Sequence, residues 1–156
     1  MKLHRHSLMN LLVVGGDPER RRGIAFSFHR NSPLHLGPFV PVQCEREEEP
    51  IALGLRAWAA GTAPDFGWNP LDAARCGTLF LDSVGKLTAS TQRLLLDFAR
   101  HLSGAGAGQE AWPLRLAAGH PEDLSPAVAM GAFSAALYDC LDKIRIEVTP
   151  AARGAA

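Results

Sequence analysis

Five short apolar runs, separated by segments with helical character, constrain the fold of this 156-residue chain more than any other feature. In chain order they read "NLLVV", "PFVPV", "GTLFLD", "PLRLAAG" and "KIRIEV". Runs of this length bounded by Gly, Pro or polar residues are typical of buried strands. Strands that alternate with helices predict a mostly parallel sheet with helices on both faces, which is a three-layer α/β fold.

The helical segments differ in the strength of their pattern. Asp17 and Pro18 predict a helix that begins directly after the first strand. The acidic run at 45–49 predicts the solvated start of a second helix, and the alanine-rich residues 125–141 predict a single helix. Residues 88–103 give the clearest pattern. The apolar face of this predicted helix is formed by Leu94, Leu95, Phe98 and Leu102.

Composition excludes several classes of protein. The chain is 47% hydrophobic and 21% charged with a formal net charge of zero, which is typical of a folded globular domain. A neutral chain has no general attraction to nucleic acid, so we expect no direct DNA binding. The three cysteines are isolated in the sequence, so neither a disulfide framework nor a zinc site is predicted. No apolar run is long enough to span a membrane, and we expect a cytoplasmic protein.

Any chemistry in such a sheet is expected at one edge. In parallel α/β sheets, ligands bind outside the carboxyl ends of the strands. The turns after Gly15, Asp82 and Ala118 are therefore the candidate places.

Five pieces of the chain, taken in order, resemble one known family. They are "LLVVGG", "HRNSP" with "GPFVPVQC", "GTLFLDSVGKL" with "TQRLLLDF", "LRLAAGHPEDL", and "MGAFSAALYDCLDKIRIEV". This order resembles the AAA+ ATPase domain of bacterial sigma-54-dependent transcription activators, also called enhancer-binding proteins. The resemblance implies a P-loop NTPase-like sheet of five strands and a role in transcription regulation. It also implies that "LLVV" and "LRLA" lie side by side centrally, with "PFVPV" at an edge. We expect one degenerate AAA+ domain at 1–150 and a frayed tail at 151–156.

The first departure from the family lies in the phosphate-binding loop, "GGDPERRR". A P-loop needs glycines whose N–H groups wrap phosphate, then a lysine and a small hydroxyl residue. Counted back without gaps from His29, the loop retains Gly15. The second glycine falls on Arg20, the lysine on Arg21 and the hydroxyl residue on Arg22.

Other residues of this loop also disfavour phosphate. Pro18 lacks an N–H, and Asp17 and Glu19 add negative charge where phosphate would lie. The three arginines could offset that charge by turning inward, but charged residues usually face water, so we expect a solvated first helical turn. No cofactor is predicted beyond weak binding of ATP or ADP. Such a degenerate nucleotide site would consist of Gly15, Gly16, Arg20, Arg21, Arg22 and Asp82.

The catalytic positions that the resemblance implies are also substituted. Asp82 is retained and could hold magnesium through water, or it could merely cap the turn after its strand. The next position, where the family has a water-activating acid, holds Ser83, a poor base. His120 stands at the sensor position and is interpreted as an ordinary loop residue. The two arginine fingers fall on Ser134 and Cys140. We therefore predict no catalytic residue, no metal site and no ATPase activity.

Two parts of the family are expected to be missing. The segment between Cys44 and Cys76 is shorter and lacks the Gly-Ala-Phe-Thr-Gly-Ala signature of the loop that touches sigma-54. After the fifth strand we find no residues for the family's helical lid or its DNA-binding helix-turn-helix. A missing lid would leave apolar surface around Ile24 and Phe28 uncovered.

These departures favour a catalytically inactive regulatory module that binds a protein, either a sigma-54-type AAA+ activator or a second copy of itself. Trp58, Trp68 and Trp112 would be natural anchors for such a partner, unless they pack into the core or against loops. One alternative is an ATP-binding protein with slow or absent hydrolysis, in which arginines replace the lysine. A third hypothesis is an evolutionary remnant without a partner.

Overall fold

A five-stranded parallel sheet forms the centre of the computed structural model, which describes residues 9–62, 68–103 and 114–149. Its strands are β1 (Leu11–Val14), β2 (Phe39–Gln43), β3 (Thr78–Asp82), β4 (Arg115–His120) and β5 (Ile144–Glu147). They lie in the order β2-β3-β4-β1-β5, and each neighbouring pair is parallel. The predicted sheet is confirmed, as are the pairing of "LLVV" with "LRLA" and the edge position of "PFVPV".

Helices connect the strands and cover both faces of the sheet. They are α1 (Pro18–Arg30), α2 (Cys44–Ala60), α3 (Pro70–Ala73), α4 (Ala89–Ser103), α5 (Ser125–Ala129) and α6 (Ala135–Leu141). A 3-10 turn, Val84–Lys86, follows β3. No helical lid follows β5 within residues 114–149, the last range that the structure describes.

The two faces of the sheet bury separate cores, because successive side chains of a strand point to opposite faces. Leu11 and Val13 of β1 face α1, together with Phe80 of β3. Leu12 and Leu81 face the other side, where they meet the apolar faces of α2, α4 and α6. Among the described helices, α1 packs on one face of the sheet and α2, α4 and α6 pack on the other, which makes a three-layer α/β structure.

The apolar side of α1 is better covered than we predicted. Ile24 and Phe28 are half-buried and pack against the core on the α1 face of the sheet, so the expectation that they lie uncovered is wrong. Phe26 is the outward-facing aromatic residue of this helix, with 43% of its surface exposed. Its ring contacts the edge-strand residue Phe39, with the ring centroids 5.3 Å apart.

The predicted single helix at 125–141 is wrong, because the chain forms two short helices with a turn between them. Gly131 has a φ of 78°, a left-handed conformation that glycine adopts without strain. The N–H of Phe133 donates to the carbonyl of Ala127 at 3.1 Å, which closes α5. Phe133 is buried, and Ser134 then caps α6 by accepting from the N–H of Leu137 at 3.1 Å. Burial of Phe133 outweighs the helix propensity of the alanines.

Candidate functional site

The carboxyl ends of four strands bring the candidate residues together at one edge of the sheet. Gly15 and Gly16 follow β1, Gln43 ends β2, Asp82 ends β3 and His120 ends β4. This is the edge at which open α/β sheets bind ligands. The sequence interpretation of Gly15, Gly16 and Asp82 as neighbours is therefore consistent with their positions.

The loop after β1 is a tight turn that requires its glycines. Gly15 and Gly16 have φ values of 95° and 70°, which side chains rarely adopt. A Cβ at Gly15 would lie 2.8 Å from the carbonyl oxygen of Val148. The N–H of Gly15 donates to the carbonyl of His120 at 2.9 Å, so this donor is already engaged within the protein.

Asp17 and Pro18 begin α1 as the sequence predicts. The Asp17 carboxylate accepts from the N–H of Arg20 at 2.8 Å, and the backbone carbonyl of Asp17 accepts from the N–H of Arg21 at 3.1 Å. Pro18 occupies a first-turn position that needs no N–H. The Asp17 side chain therefore caps the helix by satisfying one free donor of its first turn.

Arg21 turns inward and forms a buried ion pair with Asp82. Its Nε donates to Asp82 Oδ1 at 2.7 Å and its Nη2 to Asp82 Oδ2 at 3.1 Å. The side chains of Arg21 and Asp82 are only 1% and 5% exposed. Arg21 Nη1 also donates to the carbonyl of Gly15 at 3.2 Å and to the carbonyl of Gly16. One guanidinium thus joins the loop after β1 to the end of β3.

The expectation of three solvated arginines is wrong for Arg21 and correct for the other two. Arg20 and Arg22 are exposed, whereas Arg21 is among the largest fully buried side chains. A bidentate pair with a buried carboxylate outweighs the general preference of arginine for water. The partner of Arg21 is Asp82 rather than the nearby Asp17.

Gln43 completes this cluster and was not predicted from the sequence. Its Nε2 donates to Asp82 Oδ2 at 2.9 Å, so Asp82 accepts three hydrogen bonds. The N–H of Gln43 donates to Glu47 Oε1 at 2.9 Å. The available signal was positional, because Gln43 is the last residue of a strand that pairs with β3.

The position after Asp82 is a strained turn. Ser83 has a φ of 56° and a ψ of 43°, and it is buried. A left-handed conformation at a non-glycine residue costs on the order of 1 kcal/mol. Ser83 directly follows Asp82 and precedes the 3-10 turn.

His120 is the last residue of β4 rather than the loop residue that we predicted. Its Nδ1 accepts a hydrogen bond from the N–H of Gly85 at 3.2 Å. A Cβ at Gly85 would lie 2.5 Å from His120 Cε1, so the imidazole ring lies close against this turn. Burial lowers the pKa of His120, and the nearby positive charge of Arg21 lowers it further.

The two positions that align with arginine fingers have structural roles in this chain. Ser134 caps α6, and its N–H donates to Gln92 Oε1 at 2.8 Å. The backbone carbonyl of Cys140 accepts from Asn10 Nδ2 at 2.7 Å. Neither side chain carries a charge that could reach a phosphoryl group.

The tryptophans fall into different environments. Trp58 is half-buried and packs edge-on against Phe98, with ring centroids 5.0 Å apart, so for this residue the core-packing alternative holds. Trp68 is 49% exposed. Trp112 lies outside the described residues.

A cleft of about 330 Å³ opens beside the ion pair, between the first turns of α1 and α2. Pro41 and Val42 of β2 contribute apolar lining, and Asp82 lies at its inner side. Its charged rim consists of Glu19, Arg22, Arg46 and Glu47.

Within the ranges 9–62, 68–103 and 114–149, no group of three or more His, Cys, Asp and Glu residues lies close enough together to hold a metal ion. In the same ranges, none of the helices has the length and apolar character needed to cross a membrane.

Comparison with known proteins finds relatives that match nearly the whole of this chain. The nitrogen fixation protein VnfA of Azotobacter vinelandii is 29% identical over 147 residues, which cover 90% of this chain and 28% of VnfA. The anaerobic nitric oxide reductase transcription regulator NorR of Aeromonas salmonicida is 31% identical over 155 residues, covering 94% of this chain and 30% of NorR. The chain therefore spans less than a third of either relative.

Solved structures confirm the fold, and a match to a domain family points to the same class of protein. NtrX from Brucella abortus, solved in complex with ATP, is similar over 94% of this chain and 35% of its own, with a TM-score of 0.71 and 22% identity. The P-loop NTPase domain of a sigma-54 transport activator from E. coli is similar over 96% of this chain and 90% of its own, with a TM-score of 0.58 and 23% identity. The family described as the Sigma-54 interaction domain matches residues 2–147. This chain therefore belongs to the sigma-54 interaction domain family.

Proposed function

We propose that this chain is a regulatory protein-binding module that does not hydrolyse ATP and acts in sigma-54-dependent transcription. The family of the chain supports the setting. The observation that carries the absence of hydrolysis is the Arg21 side chain, which lies between the glycine loop and Asp82.

Arg21 takes up the groups that a magnesium nucleotide would need. Phosphate requires N–H groups that point toward it, but the carbonyls of Gly15 and Gly16 face the Arg21 guanidinium. Magnesium requires carboxylate oxygens, but both oxygens of Asp82 accept from Arg21. The residues present therefore do not fit a magnesium nucleotide in this loop.

Neither the position after Asp82 nor the side chains that hydrogen-bond its carboxylate supply a base that could activate water. Ser83 is buried, and a serine hydroxyl is a poor base at neutral pH. Of the two side chains that hydrogen-bond Asp82, Arg21 is a cation and Gln43 has no basic atom. A catalytic route would require both a base and stabilisation of phosphoryl charge.

The protein-binding part of the proposal is supported by apolar side chains that remain on the surface. Leu36 and Met130 are 91% and 82% exposed, and Trp68 is 49% exposed. Exposed apolar side chains offer contact surface to a partner, and tryptophan is enriched among interface hot spots. The partner class that the family suggests is an AAA+ activator or a second copy of this chain.

The hydrolysis part is tested by attempted repair. Ser83→Glu restores a candidate base beside Asp82, and Arg21→Lys restores a compact cation. We expect the double variant to release no phosphate above a buffer control at millimolar ATP and magnesium. Pro18 and Arg20 still prevent the loop from wrapping phosphate, and Ser134 and Cys140 still supply no finger. Clear turnover by the double variant or by the unchanged chain would overturn the inactive assignment.

The binding part is tested by light scattering and by capture of a purified sigma-54-type activator. We expect self-association or capture, weakened by Leu36→Asp or Met130→Asp. The exposed Arg93→Asp is the control for an added negative charge. A strict monomer that captures no activator would contradict this part.

A further inference from the structure

We propose that His29 is a pH-sensitive latch: its neutral ring holds the loop 31–38 against the start of β3, and protonation of the ring releases that loop. His29 lies in the last turn of α1 and is 2% exposed. The loop that it holds carries Leu36, which is 91% exposed. The latch itself is independent of the proposed function, and only its consequence for Leu36 rests on that function.

Two hydrogen bonds fix the protonation state of His29. Its Nε2 lies 2.9 Å from the carbonyl oxygen of Gly37, and its Nδ1 lies 2.8 Å from the hydroxyl oxygen of Thr78. Because a carbonyl oxygen can only accept, Nε2 carries the proton of the neutral ring, and Nδ1 accepts from the Thr78 hydroxyl. A single neutral tautomer therefore joins the end of α1 to the loop and to β3.

A charged imidazolium would have no counterion at this position. The charged and titratable groups that face the ring are Arg115 of β4 and His35 of the loop. From β2 and β3 the ring meets only the aromatic side chain of Phe39 and the hydroxyl of Thr78. Burial lowers the pKa of His29, the hydrogen bond to the loop carbonyl raises it, and the charges of Arg115 and His35 lower it further. Protonation in place would add a second buried cation near Arg115, which is strongly unfavourable.

The loop is the part of this site that can move. Its other hydrogen bonds either remain within residues 32–37 or continue the last turn of α1. Besides the ring of His29, the described residues give the far end of the loop one more hydrogen bond, from the N–H of Thr78 to the carbonyl of Pro38 at 2.9 Å. Release of the loop therefore breaks few hydrogen bonds and brings water to the charged ring.

The release is expected between pH 7.5 and 5.5. A solvated histidine has a pKa of about 6.5, whereas the pKa of the buried ring is lowered while the loop is closed. The open form therefore binds a proton that the closed form does not, and the ratio of open to closed loop rises as the pH falls. For an open-state pKa of about 6.5 and an unprotonated closed form, this ratio rises about tenfold across the window.

The test is hydrogen exchange of the backbone amides of the full chain at pH 7.5 and 5.5, expressed as protection factors relative to the intrinsic rate at each pH. The N–H of Thr78 reports release, because its acceptor is Pro38 at the end of the loop. We expect its protection factor to be lower than those of β1 and β4 at both pH values and to fall about tenfold on acidification. An unchanged protection factor, or exchange no faster than in β1 and β4, would overturn the latch.

A neutral substitute isolates the contribution of the ring. The side chain of His29→Gln can donate to Gly37 and accept from Thr78 but does not titrate in this range, so we expect the protection of Thr78 to be independent of pH. His35→Gln is the matched control, because it removes an exposed histidine from the same loop, and it should keep the tenfold response. Equal responses in the two variants would contradict the assignment to His29.

Nitrogen NMR of the histidine rings tests the same assignment in the unchanged chain and requires no variant to fold. At pH 7.5 the ring shifts of His29 should report a protonated Nε2 and an unprotonated Nδ1, as its two hydrogen bonds require. The opposite tautomer, or a ring that becomes charged while Thr78 stays protected, would overturn the proposal.

Capture of a purified sigma-54-type activator separates this inference from the proposed function. If Leu36 anchors that partner, acidification from pH 7.5 to 5.5 should weaken capture by the unchanged chain and by His35→Gln more than capture by His29→Gln. Absence of capture at both pH values, together with the tenfold loss of protection at Thr78, would contradict the binding part of the proposed function and support the latch.

Discussion

Two arginines are buried at opposite ends of the sheet, and they are held in different ways. Arg21 lies at the carboxyl ends of the strands and forms a bidentate pair with Asp82. Arg115 begins β4 at the other end and has no carboxylate partner among the described residues. Arg115 Nε donates to the carbonyl of Met9 at 3.0 Å, and its guanidinium lies over the ring of Phe28, 5.4 Å from the centroid.

The difference shows what Asp82 contributes. Arg115 is 2% exposed, its Nη2 has no hydrogen-bond partner, and burial lowers its pKa. A buried arginine can thus be accommodated in this fold by carbonyls and an aromatic ring. At the other end, Asp82 adds an opposite charge that is itself buried. Loss of one member of that pair leaves an uncompensated charge, whereas loss of Arg115 does not.

The largest effect is expected from breaking the charged pair. Arg21→Met leaves Asp82 buried without its cation, and we expect unfolding free energy to fall by about 3–5 kcal/mol in urea titrations. Arg22→Met, at the exposed neighbouring position, should change it by less than about 0.5 kcal/mol. The double variant Arg21→Met with Asp82→Leu should recover part of the loss, with a coupling energy of about 2–3 kcal/mol. Additive losses would mean that the two side chains are not coupled.

A smaller loss is expected at the uncharged end. Arg115→Met retains the apolar stem and leaves the carbonyl of Met9 without its donor, so we expect unfolding free energy to fall by about 1–3 kcal/mol. The same urea titration compares this variant directly with Arg21→Met. If Arg115→Met proves the more damaging of the two, the distinction between the two ends is wrong.

The smallest effect on the free energy of unfolding is expected from acidification between pH 7.5 and 5.5. Burial lowers the pKa values of His29 and His120 in the folded chain, so the unfolded chain binds protons first as the pH falls. Stability from these groups is complete above about pH 6.5 and declines as the pH falls toward their folded pKa values. The lowered pKa values of Glu48 and Asp142 act at lower pH, outside this window.

Variants assign that pH dependence to one end of the sheet or the other. His120→Gln should remove the contribution of the end that holds Asp82, and His29→Gln that of the end that holds Arg115. Thermal melts of each variant at each pH measure these two contributions to stability. A pH profile that neither variant alters would assign the dependence to other groups.

The fold was predictable because its signals are local. Each buried strand is a short apolar run, and the two consecutive residues Asp17 and Pro18 mark the start of α1. The break at 130–134 was missed because it depends on where Phe133 is buried, and that is decided by residues distant in sequence. Alanine content alone does not report such a contact.

The site was only partly predictable for a related reason. Register placed Asp82 beside the glycine loop, but the inward turn of Arg21 depends on a partner 61 residues away. The average preference of arginine for water predicted the opposite orientation. Gln43 was missed because its role arises from the pairing of β2 with β3 rather than from any motif.

The position of Pro41 restricts the ways in which copies of this chain can meet. It lies in the middle of β2, which is an edge of the sheet, and it is exposed there. A proline offers no N–H to an incoming strand, so this margin is a poor template for extending the sheet into a neighbour. The opposite margin, β5, carries the exposed charges of Arg145 and Glu147, which also discourage edge-to-edge growth. We therefore expect that copies of this chain can associate without forming fibrils, provided that they meet through side chains on the faces of the sheet.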